Sequence, residues 1–144
     1  MIVGFSFTKL SAEKGAPSKG KIDINNNVSI KDVQEDSFSL GKDKQQNVLR
    51  FLFEFTSKYE PNVGSILFEG ELLYMEEPKK IKEILGDWKN DKKLPKEMMA
   101  GLLNTVLTKC NVQALILSQQ VNLPPPIPLP KVQMQQQAEK NYIG

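Results

Sequence analysis

The chain contains no histidine and a single cysteine, Cys110. The first absence removes the commonest general base, the commonest metal ligand and most nucleophilic triads. The second excludes an intrachain disulfide and a cysteine-based zinc cluster. A dominant charge is lacking too: 19 Lys and Arg face 17 Asp and Glu, a net charge of +2. The lysines are interleaved with carboxylates, whereas phosphate recognition needs a clustered basic face, so no nucleic-acid partner is expected. Glycine spacing supplies no phosphate cradle, because Gly15 and Gly20 lie in a lysine-bearing loop without the strand and helix that motif requires. Met1-Ile2-Val3-Gly4-Phe5 shows no basic region ahead of an apolar core, and no apolar run approaches the roughly eighteen residues of a membrane span. No membrane partner and a cytoplasmic location are therefore expected. No internal repeat is visible.

What chemistry remains is thin. Cys110 falls on an apolar helical stripe, where a packing role outweighs a nucleophile. Glu69 and Glu71 share one strand face, and a solvated position explains them better than acid–base work. Neither an enzyme nor a cofactor is expected, and function has to be sought in surfaces.

The stretch from Leu94 to Val132 organises the rest. Pro95 and Glu97 suit the first turn of a helix. Met98, Leu102, Leu103, Val106, Cys110, Ala114 and Leu117 recur at helical spacing, and Met99, Leu107, Leu115 and Ile116 widen that stripe. Such a helix, about 36 Å long, needs cover on more than one side: a sheet on one flank and another chain on the other. Leu107 and Leu115 are the candidates for an oligomer interface, in a dimer or tetramer. The helix cannot continue through Pro124, Pro125, Pro126, Pro128 and Pro130, so the chain leaves it in a stiff extended form.

Upstream, Ile2 to Leu10 alternates as a first strand and Ser11 to Lys21 reads as a loop. Asn25-Asn26-Asn27 is expected to turn the chain before a second strand at Val28 to Val33. Asp36 to Asn47 is expected to be loop leading into the next strand. Val48 to Ser57 gives the strongest strand signal, with Leu49, Phe51, Phe53 and Phe55 on one face. A hairpin connection at Tyr59 to Gly64 leads to Ile66–Met75, where Ile66, Phe68, Leu72 and Tyr74 share a face and Gly70 accommodates a large neighbour. Pro78 closes that strand. Lys79 to Trp88 makes a short helix with Ile81, Ile84, Leu85 and Trp88 on one side. Strands first and helices after predict an α+β fold: a four-stranded antiparallel sheet followed by a short helix and a long C-terminal helix packed on one face. Residues 1–132 are expected to form a single domain and 133–144 a helical or flexible tail.

This element order, with Leu94-Pro95-Lys96-Glu97 opening the long helix and Val121-Asn122-Leu123-Pro124-Pro125-Pro126-Ile127-Pro128 behind it, resembles the SecB-like chaperone family. The lysine- and asparagine-rich composition would suit an archaeal or thermophilic member. The resemblance implies a chaperone or holdase for extended apolar segments of unfolded polypeptides. The tail Asn141-Tyr142-Ile143-Gly144 departs from the acidic, cysteine-containing tail that would dock on an export motor, which puts such coupling in doubt. A non-chaperone assembly module with one fixed protein partner is the alternative. In both readings the binding residues are expected to be Phe51, Phe53, Phe55, Phe68 and Tyr74 on the sheet, with Ile127 and Leu129 in the proline loop. That loop is either a structural bridge or a docking peptide.

Overall fold

The computed structural model describes residues 1–41 and 44–130; the expected tail lies outside them. Four strands and two helices follow one another as β1 (Ile2–Lys14), β2 (Asp23–Gly41), β3 (Lys44–Glu60), β4 (Gly64–Met75), α1 (Pro78–Asp91) and α2 (Lys96–Gln120). The sheet is antiparallel in the order β1-β4-β3-β2, which leaves β1 and β2 as its edges. Both helices lie on one face, as expected for this α+β architecture.

Strict alternation on β3 builds the core. Leu49, Phe51, Phe53, Phe55, Ser57 and Tyr59 are at most 2% exposed, on the face that β4 continues with Leu72, Phe68 and Ile66. Phe5 of β1 stacks on Phe53 at 5.2 Å between centroids, and Phe55 stacks on Phe68 at 5.6 Å. Gly70 lies directly across from Phe53. A Cβ at this glycine would collide with the Phe53 ring and with the Ser6 carbonyl of β1, so the expected accommodation of a large neighbour is present.

Several segments differ from the expected pattern. Ser11 to Lys14, expected to begin a loop, continue β1 opposite Leu67 to Gly64, and Tyr59 and Glu60, expected in the hairpin connection, are the last residues of β3. Asn25, Asn26 and Asn27 do not turn the chain; they lie inside β2, paired with Lys58, Ser57 and Thr56. Strand propensity disfavours asparagine, but Asn26 occupies the core-facing phase of Ile24 and Val28, where its amide is hydrogen-bonded. The polar stretch read as loop is the far end of a long β2–β3 hairpin, in which Arg50 pairs with Asp36 across the strands. Pro78 begins α1, where its missing N–H costs nothing, in addition to ending the strand.

α1 buries Ile81, Ile84 and Trp88, and ends with Lys92 in the left-handed conformation, its ammonium 5.4 Å from the Trp88 ring centre. α2 buries Leu102, Val106, Cys110, Ala114 and Ser118, a row in steps of four. Burial pushes the Cys110 thiol up to about 12. Between Met98 and Gln120 the only charge is Lys109, which reaches over the Phe5 ring at 5.7 Å. Contrary to the sequence expectation, α2 is long and apolar enough to cross a membrane by length and composition alone. Apart from Lys109, the interruptions in its apolar pattern are Asn, Thr, Gln and Ser, which break a run of apolar letters without adding charge.

Candidate binding groove

Asn122, at a φ of 57°, ends α2 in the left-handed turn that asparagine tolerates. The Leu123 amide then bonds back to the Ser118 carbonyl at 2.8 Å. Leu123 is buried, and it packs where a Cβ on Gly64 would stand 2.9 Å from its methyls. The loop that follows is held to the sheet by two polar clamps. The Tyr59 hydroxyl donates to the Pro124 carbonyl at 2.6 Å, and the Asn26 side-chain amide donates to the Pro126 carbonyl at 2.8 Å. Ser57, fully buried, donates to the Asn26 oxygen at 2.6 Å, so this amide links strand to strand as well as strand to loop. Burial raises the Tyr59 pKa, with the contact to Ser57 opposing the shift, which keeps the phenol a neutral donor.

Proline carbonyls have no N–H partner in their own residue's ladder, so a rigid loop of this kind needs donors from elsewhere. Tyr59 and Asn26 supply them. Between the loop and β2 lies a groove of about 570 Å³ lined by Ile24, Asn26 and the run Pro124–Leu129. Its lining carries no charge. Ile127 is half-buried and Leu129 is 45% exposed.

The sequence-predicted binding residues separate into two groups. Ile127 and Leu129 line the groove. Phe51, Phe53, Phe55 and Phe68 do not: they are 0–2% exposed beneath the helices and are core side chains. The expectation that the aromatic surface exceeded what the helices could cover is thereby corrected. β1 and α2 together cover the rings, with Phe5 and Phe7 from β1 packed directly onto them. Tyr74 is also remote, paired with Leu49 at the opposite end of β3 from Tyr59, a separation of roughly 33 Å at the rise of a strand. There it lines a different cavity of about 340 Å³, with Glu76, Glu83, Asp87 and Met98 among its neighbours. Leu107 lies half-buried against the core and Leu115 is half-buried, while the most exposed apolar side chains of α2 are Val112 at 58% and Ile116 at 45%.

Sequence reasoning missed Asn26, Ser57 and Tyr59 as the residues that position the loop. The signal was available: all three stand in phase with apolar neighbours, Tyr59 continuing the Leu49-to-Phe55 row by two further steps.

No protein-family model matches the chain, and no curated protein matches it either. Among solved structures, the Mycobacterium tuberculosis Rv1957 SecB-like chaperone, in complex with a ChAD peptide from the Rv1956 HigA1 antitoxin, is similar with a TM-score of 0.51 at 13% identity. The match covers 94% of this chain and 91% of that one. The fold is SecB-like. At this identity the likeness is one of fold.

Proposed function

We propose that the chain is a chaperone-like binder of extended apolar polypeptide segments, working without catalysis, with the proline-loop groove as its contact surface. The observation that carries this reading is the groove itself: open, uncharged, lined by Ile24, Ile127, Leu129 and four prolines, and braced from beneath by Tyr59 and Asn26. Prolines present carbonyls and ring methylenes but no N–H, so the surface selects apolar bulk with little side-chain specificity. Burying about 100 Å² of client there would contribute only ~2.5 kcal/mol, which makes each contact weak and reversible. Tight capture then requires several grooves acting on one chain, and the uncovered apolar face of α2, with Val112, Leu115 and Ile116, supports self-association as the source of that multivalency.

A second reading has an observation of its own. The similar mycobacterial chaperone holds a peptide from one defined protein, which favours a fixed partner presenting a single apolar segment to the same groove. The deciding experiment measures delayed aggregation of several unrelated unfolded proteins by the wild type and by Ile127→Asp and Leu129→Asp. General suppression, lost in variants that remain folded, supports the chaperone reading. Suppression unchanged in both variants removes the groove from function, and no suppression of any client by the wild type leaves the fixed-partner reading.

A further inference from the structure

The two clamps give the groove a direction and a repeat. Ile24 pairs with Tyr59 and Asn26 with Ser57 across the strands, while the Tyr59 hydroxyl holds Pro124 and the Asn26 amide holds Pro126. Sheet and loop therefore advance together, two residues per step. An occupant lying between them must be extended, with every second side chain turned inward. No charge lines the groove, so a charged side chain entering it would be desolvated without a partner. One residue before Ile24, Asp23 faces Glu60 directly across the ladder. Like charges so placed repel, and neither carboxylate enters an ion pair among the described residues. The segment that fits is uncharged and alternating along residues 124–129, with a cation just past the Ile24 end.

Among the strands, β1 alone has that pattern. Residues 1–8 hold no Asp, Glu, Lys or Arg; Val3, Phe5 and Phe7 alternate with Gly4, Ser6 and Thr8; and Lys9 follows. The apolar row of β3 is interleaved with Arg50 and Glu54, that of β4 with Glu69 and Glu71, and β2 is itself a wall of the groove. The apolar residues of α2 recur at helical spacing, so an extended form would divide them between two sides. β1 is also the strand whose partner is most distant in the chain, Ile2 pairing with Tyr74 and Lys14 with Gly64. Contacts of long sequence separation form late, so a copy that has not finished folding leaves Phe5 and Phe7 uncovered. We infer that the groove takes the β1 segment of an unfolded copy of this same chain. Residues 1–9 lie antiparallel to β2, with Phe7 beside Ile24, Phe5 beside Asn26 and Lys9 reaching Asp23 and Glu60. The folded copy holds the unfolded one as a client, released when its β1 pairs with its own β4.

This inference rests on the proline-loop groove being the contact surface, and it names one client for it. The test titrates a synthetic peptide of residues 1–14, with a fluorophore at its C-terminus, against the folded full chain and reads anisotropy. The peptide is expected to bind and to displace an unrelated unfolded client. Phe5→Ser or Phe7→Ser in the peptide should weaken binding at least about tenfold. Lys9→Glu should weaken it about threefold, and Asp23→Lys in the protein should restore that loss. A scrambled peptide of the same composition should bind no better than the serine variants. In the protein, Leu129→Asp, at a position 45% exposed and therefore tolerant of the change, should weaken the wild-type peptide. Equal binding by the scrambled peptide, or unchanged binding to both Leu129→Asp and Ile127→Asp proteins, which would place the peptide at the β4 edge, overturns the inference. So does a peptide that fails to bind at about a millimolar while unrelated clients are still held, an outcome that leaves the groove reading intact; loss of both removes both.

Discussion

Tyr59→Phe tests how the groove is held. The substitution keeps the buried ring and deletes one hydroxyl, which donates to the Pro124 carbonyl at 2.6 Å. Tyr59 is 1% exposed, so the ring leaves no cavity, but Pro124 is exposed and water can reach its freed carbonyl. The loss should therefore fall near the middle of the range for a neutral hydrogen bond, about 1 kcal/mol. For a domain of this size that lowers the melting temperature by roughly 2–5 °C. The same energy, acting on the loop alone, reduces the population of the clamped loop, and an apparent client affinity falls in proportion to that fraction. Asn26→Ala removes the second clamp and also strands the Ser57 hydroxyl, so its cost should be greater. Measured together by chemical denaturation and client titration, the two should be non-additive, because they hold one segment. The pH dependence adds a check. Burial raises the Tyr59 pKa above its ordinary value of 10.0, so its contribution is complete below pH 10 and is lost as pH rises through the folded value; Tyr59→Phe should remove that portion of the alkaline loss. Unchanged stability and unchanged client affinity in both single variants would refute the view that these clamps shape the groove.

Four further outcomes are expected. Gly70→Ala drives a methyl into the Phe53 ring and the Ser6 carbonyl, and since the backbone of a paired strand cannot retreat, it should destabilise by about 1–3 kcal/mol; a urea midpoint within error of wild type would contradict this contact. Cys110, with its thiol pushed up to about 12 by burial, should resist a thiol reagent at pH 8 until the chain unfolds, and rapid stoichiometric labelling of the native protein would refute its burial. Because the raised value also makes the folded thiol hold its proton more tightly, Cys110→Ala should shallow the decline in stability between pH 9 and 12. Val112→Lys, on the exposed side of α2, should leave monomer stability within about 0.5 kcal/mol and reduce self-association in sedimentation; a variant that assembles as the wild type does would move the interface off that helix face.

The architecture was legible because its strongest signals are periodic. The alternation on β3 and the four-residue steps on α2 each belong to one kind of element, and the proline run can only follow a helix, not extend it. The strand limits were less legible, since β2 runs through three asparagines whose place in the ladder depends on Ser57 and on a loop one hundred residues away. No local rule contains that dependence. The groove was half legible for a related reason. Ile127 and Leu129 were identified from their alternation with prolines, but the aromatic row was assigned to an open surface because a strand face does not state what covers it. Phe5 and Phe7, from the opposite end of the sequence, help provide that cover.

The order β1-β4-β3-β2 has a consequence for the history of each molecule. β2, β3 and β4 can zip into a meander as they leave the ribosome, β3 pairing with β2 and β4 with β3. β1 cannot, because its partner strand lies at Gly64–Met75. At ordinary synthesis rates of about 5–20 residues per second, the earliest strand waits on the order of 3–12 s with Phe5, Phe7 and Leu10 uncovered. During that interval it is itself an extended apolar segment of an unfinished polypeptide, the same chemical class of object that we propose the completed groove to hold.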